Sequence, residues 1–160
     1  MQPPFRQPIG LHLARTARGV GRAFDEALAA VGGSTPTWLI LISLKTRRLG
    51  NQRELAEAVG IRGATLTHHL HAMEADGLVA RTRDPGNRRV QRVELTAAGE
   101  AAFHRMREAA TAFDQRLRRG LSEAELATVE TLLDRLHDNV TESAHVTDSV
   151  TRAEGAERTE

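Results

Sequence analysis

The side chains with chemistry to offer are concentrated between residues 52 and 96. Thr65, Thr67, His68 and His69 lie in a run that carries no acid until Glu74, and Arg62 stands just ahead of them. A solvated helix face normally alternates Glu and Lys. A short polar run of hydroxyls and imidazoles can instead enter the DNA major groove and meet base edges. Downstream, Arg81, Arg83, Arg88, Arg89 and Arg92 surround the turn Asp84-Pro85-Gly86-Asn87, with Asp84 as the single acid among residues 81–92. Proline presets φ and glycine supplies positive φ, so this is strong turn chemistry. Guanidinium groups held out on such a hairpin suit phosphates and the minor groove.

Periodicity predicts the elements that must position these groups. Leu55, Ala56 and Val59 mark one face of a short helix from about Gln52, which Gly60 ends. Leu66, Leu70 and Met73, at i, i+4 and i+7, form the buried stripe of a second helix from about Gly63 to Asp76. Thr65, His68, His69 and Ala72 then fall away from that stripe. Leu78-Val79-Ala80 and the stretch with Val90, Val93 and Leu95 read as two strands, and Thr96 opens another helix.

Longer helices flank this module. Ile9, Leu13, Ala17, Val20, Phe24, Leu28 and Val31 recur at helical spacing, and Gly32-Gly33 stops the run. Thr35 is expected to cap a helix with Pro36 at its first position. Trp38 to Leu44 is apolar all round and reads as a buried helix, with a buried strand as the alternative. Asn51 is a cap for the helix that follows it. Ala102, Phe103, Met106, Ala110, Phe113 and Leu117 form a further stripe, and Leu126, Val129, Leu132, Leu133, Leu136 and Val140 a last one. Ser122 and Glu125 form a capping box ahead of it. A small module cannot cover all these stripes, so a second copy of the chain is expected to do so.

Composition narrows the class. One domain's worth of chain, 160 residues with 40% hydrophobic side chains, is enough for a core. There is no cysteine, which excludes disulfides and thiol chemistry. No apolar run approaches the ~18 residues of a membrane span, and the opening residues lack a signal peptide's apolar stretch; a cytoplasmic protein with no membrane contact is expected. Residues 47–92 hold nine arginines against five acids, a balance of +4, whereas residues 93–160 hold eight arginines against fourteen acids, a balance of −6. One basic lobe and one acidic lobe fit a protein that offers one end to DNA. An enzyme is not expected: there is no Gly-x-Ser-x-Gly, no phosphate-cradling glycine loop and no cysteine nucleophile. His68 and His71 could chelate, but one helix face offers only two ligands, so neither metal nor cofactor is expected.

The order of these features resembles the MarR family of winged helix-turn-helix regulators over about residues 9–145. The specific matches are Glu54-Leu55-Ala56, Met73-Glu74-Ala75-Asp76-Gly77-Leu78-Val79, Arg88-Arg89 and Leu95-Thr96-Ala97-Ala98-Gly99. Asn87 stands where the family usually has Asp, and Arg62 where its second helix often opens on Ser or Thr. The latter removes an N-cap, at ~1 kcal/mol, and adds a cation.

The resemblance implies a mainly α fold with a small β-hairpin wing. Residues 34–96 would be the winged helix-turn-helix module, 9–33 and 97–145 a helical dimerisation region, and 1–8 and 146–160 flexible tails. It implies a homodimeric transcriptional regulator, usually a repressor, on a pseudo-palindromic operator in double-stranded DNA. Thr65, Thr67, His68 and His69 would reach bases, Arg88 and Arg89 the minor groove, and Arg62, Arg83 and Arg92 phosphates. A small aromatic or phenolic effector would bind near Trp38, with His12 and Arg15 as polar partners. A winged-helix module for protein interaction or metal sensing, with DNA contact secondary, is the alternative. Because imidazolium adds positive charge against phosphate, operator affinity should rise between pH 8 and pH 6; an affinity flat across that range in an anisotropy titration would count against a charged contact from His68 and His69.

Overall fold

The computed structural model describes residues 7–47, 52–83 and 91–156. The element order is α1 (Ile9–Ala29), α2 (Thr35–Arg47), α3 (Gln52–Val59), α4 (Gly63–Ala75), β1 (Val79–Arg83), β2 (Gln91–Leu95), α5 (Ala97–Leu117) and α6 (Glu123–Ala156). The fold is mainly helical with one two-stranded antiparallel wing, in which Val79 pairs with Leu95, Arg81 with Val93 and Arg83 with Gln91. The chain divides into two compact units, Met1–Gln115 and Arg116–Glu160. The hairpin turn Asp84-Pro85-Gly86-Asn87, the expected strand residue Val90 and the expected cap Asn51 lie outside the described residues.

The core of the first unit gathers Leu28 from α1, Trp38, Ile40 and Leu41 from α2, Leu55 from α3, Leu66, Leu70 and Met73 from α4, Val79 and Val93 from the wing, and Phe103 and Met106 from α5. Residues 38–44 are helix, which settles the ambiguity of an all-apolar run. Ser34, not Thr35, caps that helix. The Thr37 backbone N–H donates to Ser34 Oγ at 3.3 Å, and the Trp38 N–H to the Ser34 carbonyl at 2.9 Å. Thr35 is instead the first helical residue, and its hydroxyl donates to Asp25 Oδ1 at 2.6 Å, tying α2 to α1. Two adjacent hydroxyl residues both satisfy cap chemistry, and only the partner across the turn separates them.

Gly60, at φ 72°, allows the tight turn between α3 and α4. A second joint links the wing to α4. The Thr96 hydroxyl donates to the Gly77 carbonyl at 2.6 Å, the Thr96 N–H donates to the Leu78 carbonyl at 3.1 Å, and the Gly99 N–H donates back to Thr96 Oγ1 at 3.0 Å. Thr96 is therefore both the N-cap of α5 and the clasp on the α4–β1 turn. Gly99 lies so close that a Cβ there would meet the Leu78 carbonyl oxygen at 2.0 Å.

In the second unit, the capping box is present. The Glu125 N–H donates to Ser122 Oγ at 3.3 Å, and the Ser122 N–H donates to Glu125 Oε2 at 2.8 Å. Helix α6 runs from Glu123 to Ala156.

Gly99→Ala should lower stability by roughly 2–4 kcal/mol, since a backbone carbonyl cannot give way as a side chain can. Urea unfolding of the purified variant reads this directly, and an unchanged midpoint would show that the joint is looser than the geometry says.

Candidate nucleic-acid interface

Helix α4 is seated by Leu66, Leu70 and Met73, all buried. Burying a leucine is worth about 1.5–3 kcal/mol, so these three fix which way the helix faces. At about 100° per residue, Ala64, His68, His71 and Ala75 point opposite the stripe, and all four are exposed. Thr65 and Ala72, also exposed, flank them on one side. Arg62 occupies the N-cap position in extended conformation (φ −67°, ψ 146°), exposed and making no side-chain cap. The first turn of α4 carries no acid, so its free N–H groups and positive dipole end meet no negative charge from their own helix.

The predicted residues do not all share this face. His69 is half-buried on the edge of the stripe, with its ring edge-on to that of His68 at 5.9 Å between centroids. Thr67 turns to the opposite flank. It lines an open cleft of about 510 Å³ between α3 and α4, together with Gln52, Arg53, Ala56, Glu57 and Gly63. Its hydroxyl donates to the Gly63 carbonyl at 2.9 Å, which leaves only lone pairs to offer. His71, absent from the predicted contacts, stands near the middle of the exposed face. Counting helical angle from the centre of the Leu66–Leu70–Met73 stripe, rather than picking polar residues, would have found it.

The wing is held by a charge pair. Strand alternation turns Arg81 inward with Val79 and Val93, where its Nε donates to Glu74 Oε2 at 2.9 Å. The Arg81 side chain is only 12% exposed. Of the hairpin arginines, Arg81 is thus withdrawn from phosphate duty and spent on joining β1 to α4. The hydrogen bond from Arg81 holds the Glu74 carboxyl below the usual carboxylate range, and charge from His71 acts in the same direction. Arg92 is exposed on β2, opposite Thr82. Arg83 closes β1, but its side chain, like Arg88 and Arg89 entirely, lies outside the described residues.

A second cleft, of about 430 Å³, opens beside α2 and α5. Trp38 is buried and stacks on Phe103, with ring planes 11° apart and centroids 5.8 Å apart. Ile42, Thr46, Arg107, Ala110, Thr111 and Asp114 complete the wall. Trp38 lies in the wall of this cleft, whereas His12 and Arg15 are exposed on α1 and are not among the residues that line it. The polar groups at hand are Arg107, Thr111 and Asp114 on α5. They were hidden because a helical stripe read for its apolar side says nothing of which polar neighbours rim a cleft. Among the described residues, no three His, Asp or Glu are placed to hold a metal ion, and no helix is long and apolar enough to cross a membrane.

Comparison with known proteins bears on this arrangement. The family model for MarR matches residues 34–90, the segment from the Ser34 cap through α4 and into the wing. The solved transcriptional regulator PA3341 is 31% identical, with a TM-score of 0.70, over 84% of this chain and 99% of that one. The chain belongs to the MarR family. The repressor CouR, solved bound to a 23-mer DNA duplex, is similar at 28% identity and a TM-score of 0.73, over 82% of this chain and 93% of that one. A protein of Thauera aromatica described as a transcriptional regulator for the hcr operon is 28% identical over 81% of this chain and 78% of its own. A MarR-type transcriptional regulator with a DNA-binding winged helix is therefore what this chain encodes, and these relatives are regulators rather than enzymes.

The Glu74–Arg81 pair has a defined pH dependence. A carboxyl whose folded-state pKa is depressed contributes stability that is complete above the ordinary carboxylate range and is lost as pH falls through the folded value. The melting temperature of Arg81→Met should thus lie below that of the native chain at pH 7, and the gap should narrow as pH falls below about 4.5. A gap that stays constant down to pH 3 would mean that the pair does not anchor the wing.

Proposed function

We propose that this regulator acts as a homodimeric repressor that reads a pseudo-palindromic operator and is released by a small aromatic or phenolic effector. The observation that carries the reading is the outward face of α4: exposed Thr65 and His68, Arg62 at its start, and its only acid already paired to Arg81. Such a face presents donors to base edges without repelling the phosphates beside them. Each copy's wing places Arg89, with Arg88, at the minor groove, and Arg62, Arg83 and Arg92 serve phosphates. His69 and Thr67 act from the edges of the helix.

Unburied apolar surface supports the dimer. On α6, Val129, Leu132, Leu133 and Val140 are 43–68% exposed, and on α1, Ile9, Leu11 and Leu13 are exposed as well. Large apolar side chains repeated along a helix ask for a partner. A second copy is the one always at hand, and two-fold symmetry then matches two half-sites about one helical turn apart. On this reading, residues 9–33 and 97–145 form the dimerisation region and residues 34–96 the reading module.

The Trp38–Phe103 cleft supports the effector. A stacked aromatic wall suits a flat ring, and the Arg107 guanidinium on its rim suits an anionic substituent. An effector bound there shifts the population between dimers whose reading helices match the operator spacing and dimers whose helices do not. Trp38 is the sole tryptophan, so its fluorescence reports occupancy without a label.

The deciding experiment is an anisotropy titration against the DNA upstream of the protein's own gene, at two salt concentrations with nonspecific competitor. Saturable binding as a dimer, weakened steeply by salt, is expected. Arg89→Ala should weaken it by about 1–3 kcal/mol if the wing makes a specific groove contact. Binding no tighter than to competitor, both there and in a genome-wide selection, would move the protein-interaction reading to first place.

A further inference from the structure

The centre of α4's exposed face holds a residue to which no role has been given. His71 stands one turn beyond His68, and both are exposed. Residues three apart on a helix are neighbours, so the two imidazoles can address successive positions in one groove. Ala64 and Ala75 on the same face are too short to block them. The side toward β1 is closed by Glu74, whose carboxylate Arg81 grips through its guanidinium. Glu74 feels the charge of His71 as well as that of Arg81. His71 is thus bordered by a carboxylate whose charge the wing has largely compensated.

We infer that His71 is a specificity-determining residue of the reading helix, donating from its ring to a purine acceptor on a base edge. This rests on α4 being the reading element. An imidazole ring carries an N–H donor whether it is neutral or charged. The major-groove edge of guanine offers two acceptors, O6 and N7, and adenine pairs an acceptor with a donor. A ring N–H turned to the base edge therefore finds two acceptors on guanine and only one, beside a donor, on adenine, and so favours guanine. Arg81 acts here as a positioning residue. By holding Glu74 it keeps that carboxylate from swinging toward the phosphates and keeps the ring's neighbourhood in one arrangement.

The test uses the full-length protein and an operator obtained by selection with the wild-type chain. Affinity is measured by anisotropy for that operator, for its set of single base-pair variants, and for an unrelated duplex, with wild type, His71→Ala and His71→Gln. His71 is exposed, so thermal melts should match across the three proteins, and they are recorded as the control on folding.

The expected result is that His71→Ala loses roughly ten-fold or more on the operator and little on the unrelated duplex. The preference of the wild type for a G·C pair at one position in each half-site should disappear with it. His71→Gln, which can donate and accept, should shift that preference toward A·T. A loss equal on all sequences, with a salt slope reduced by about one, would make His71 a phosphate contact and overturn the assignment. An unchanged affinity and base preference would place it on a solvent face and overturn it too. A wild-type chain that selects no site at all would overturn the reading role of α4, and with it this one, and is told apart from the other outcomes by the wild-type arm alone.

Discussion

Everything the wing does depends on one close approach of backbone to backbone. The Gly77–Leu78 carbonyls, at the turn out of α4, accept hydrogen bonds from the Thr96 hydroxyl and N–H at the start of α5. Gly99 is the residue that lets the first turn of α5 come so near, because any side chain there would occupy the Leu78 carbonyl oxygen. Two chain segments 19 residues apart are thereby locked, and the hairpin between them has both its ends anchored to the same turn. The loop-closure cost of that hairpin is met at its base, and β1 and β2 pair along their whole length, from Val79–Leu95 to Arg83–Gln91.

The second constraint is electrostatic. A helix that is to lie against a polyanion cannot carry an unpaired acid on its working side, and α4 carries one acid, Glu74. The chain compensates it from the neighbouring element: β1 alternation brings Arg81 inward to the same carboxylate, and the pair is partly shielded from water. The same contact joins wing to reading helix, so the orientation of one is coupled to that of the other. With Arg81 withdrawn from water and Glu74 part-exposed, the pair fixes where one positive and one negative charge stand beside the exposed side chains of α4.

Apolar side chains are covered unevenly along the chain. Around Leu41, Leu55, Leu66 and Met106 the first unit is closed, which makes a rigid platform for α4. The apolar side chains of α6 and of the first turns of α1 remain in water. The Trp38–Phe103 cleft lies between these extremes, with buried aromatic walls and a polar rim.

Much of this was legible in the order of residues. The helical stripes, the Gly60 stop, the Ser122–Glu125 box, the Thr96 start and the three buried residues of α4 all follow from spacing, because local periodicity and cap chemistry depend on neighbours within one or two turns. Family membership followed from short motifs of the same local kind. What spacing could not supply were the choices made between segments. Ser34 rather than Thr35 became the cap because Asp25, ten residues back, took the Thr35 hydroxyl. Arg81 looked like its fellow arginines until the strand turned it toward Glu74. Arg107 and Asp114 line the Trp38 cleft, and His12 and Arg15 do not. Thr67 turned out to line the cleft beside α3, and His71 to lie on the exposed side of α4. A sequence by itself determines which faces and ends its elements can have, since those are set by a few adjacent residues; which side chain meets which is decided only when packing brings distant elements within hydrogen-bonding distance of one another.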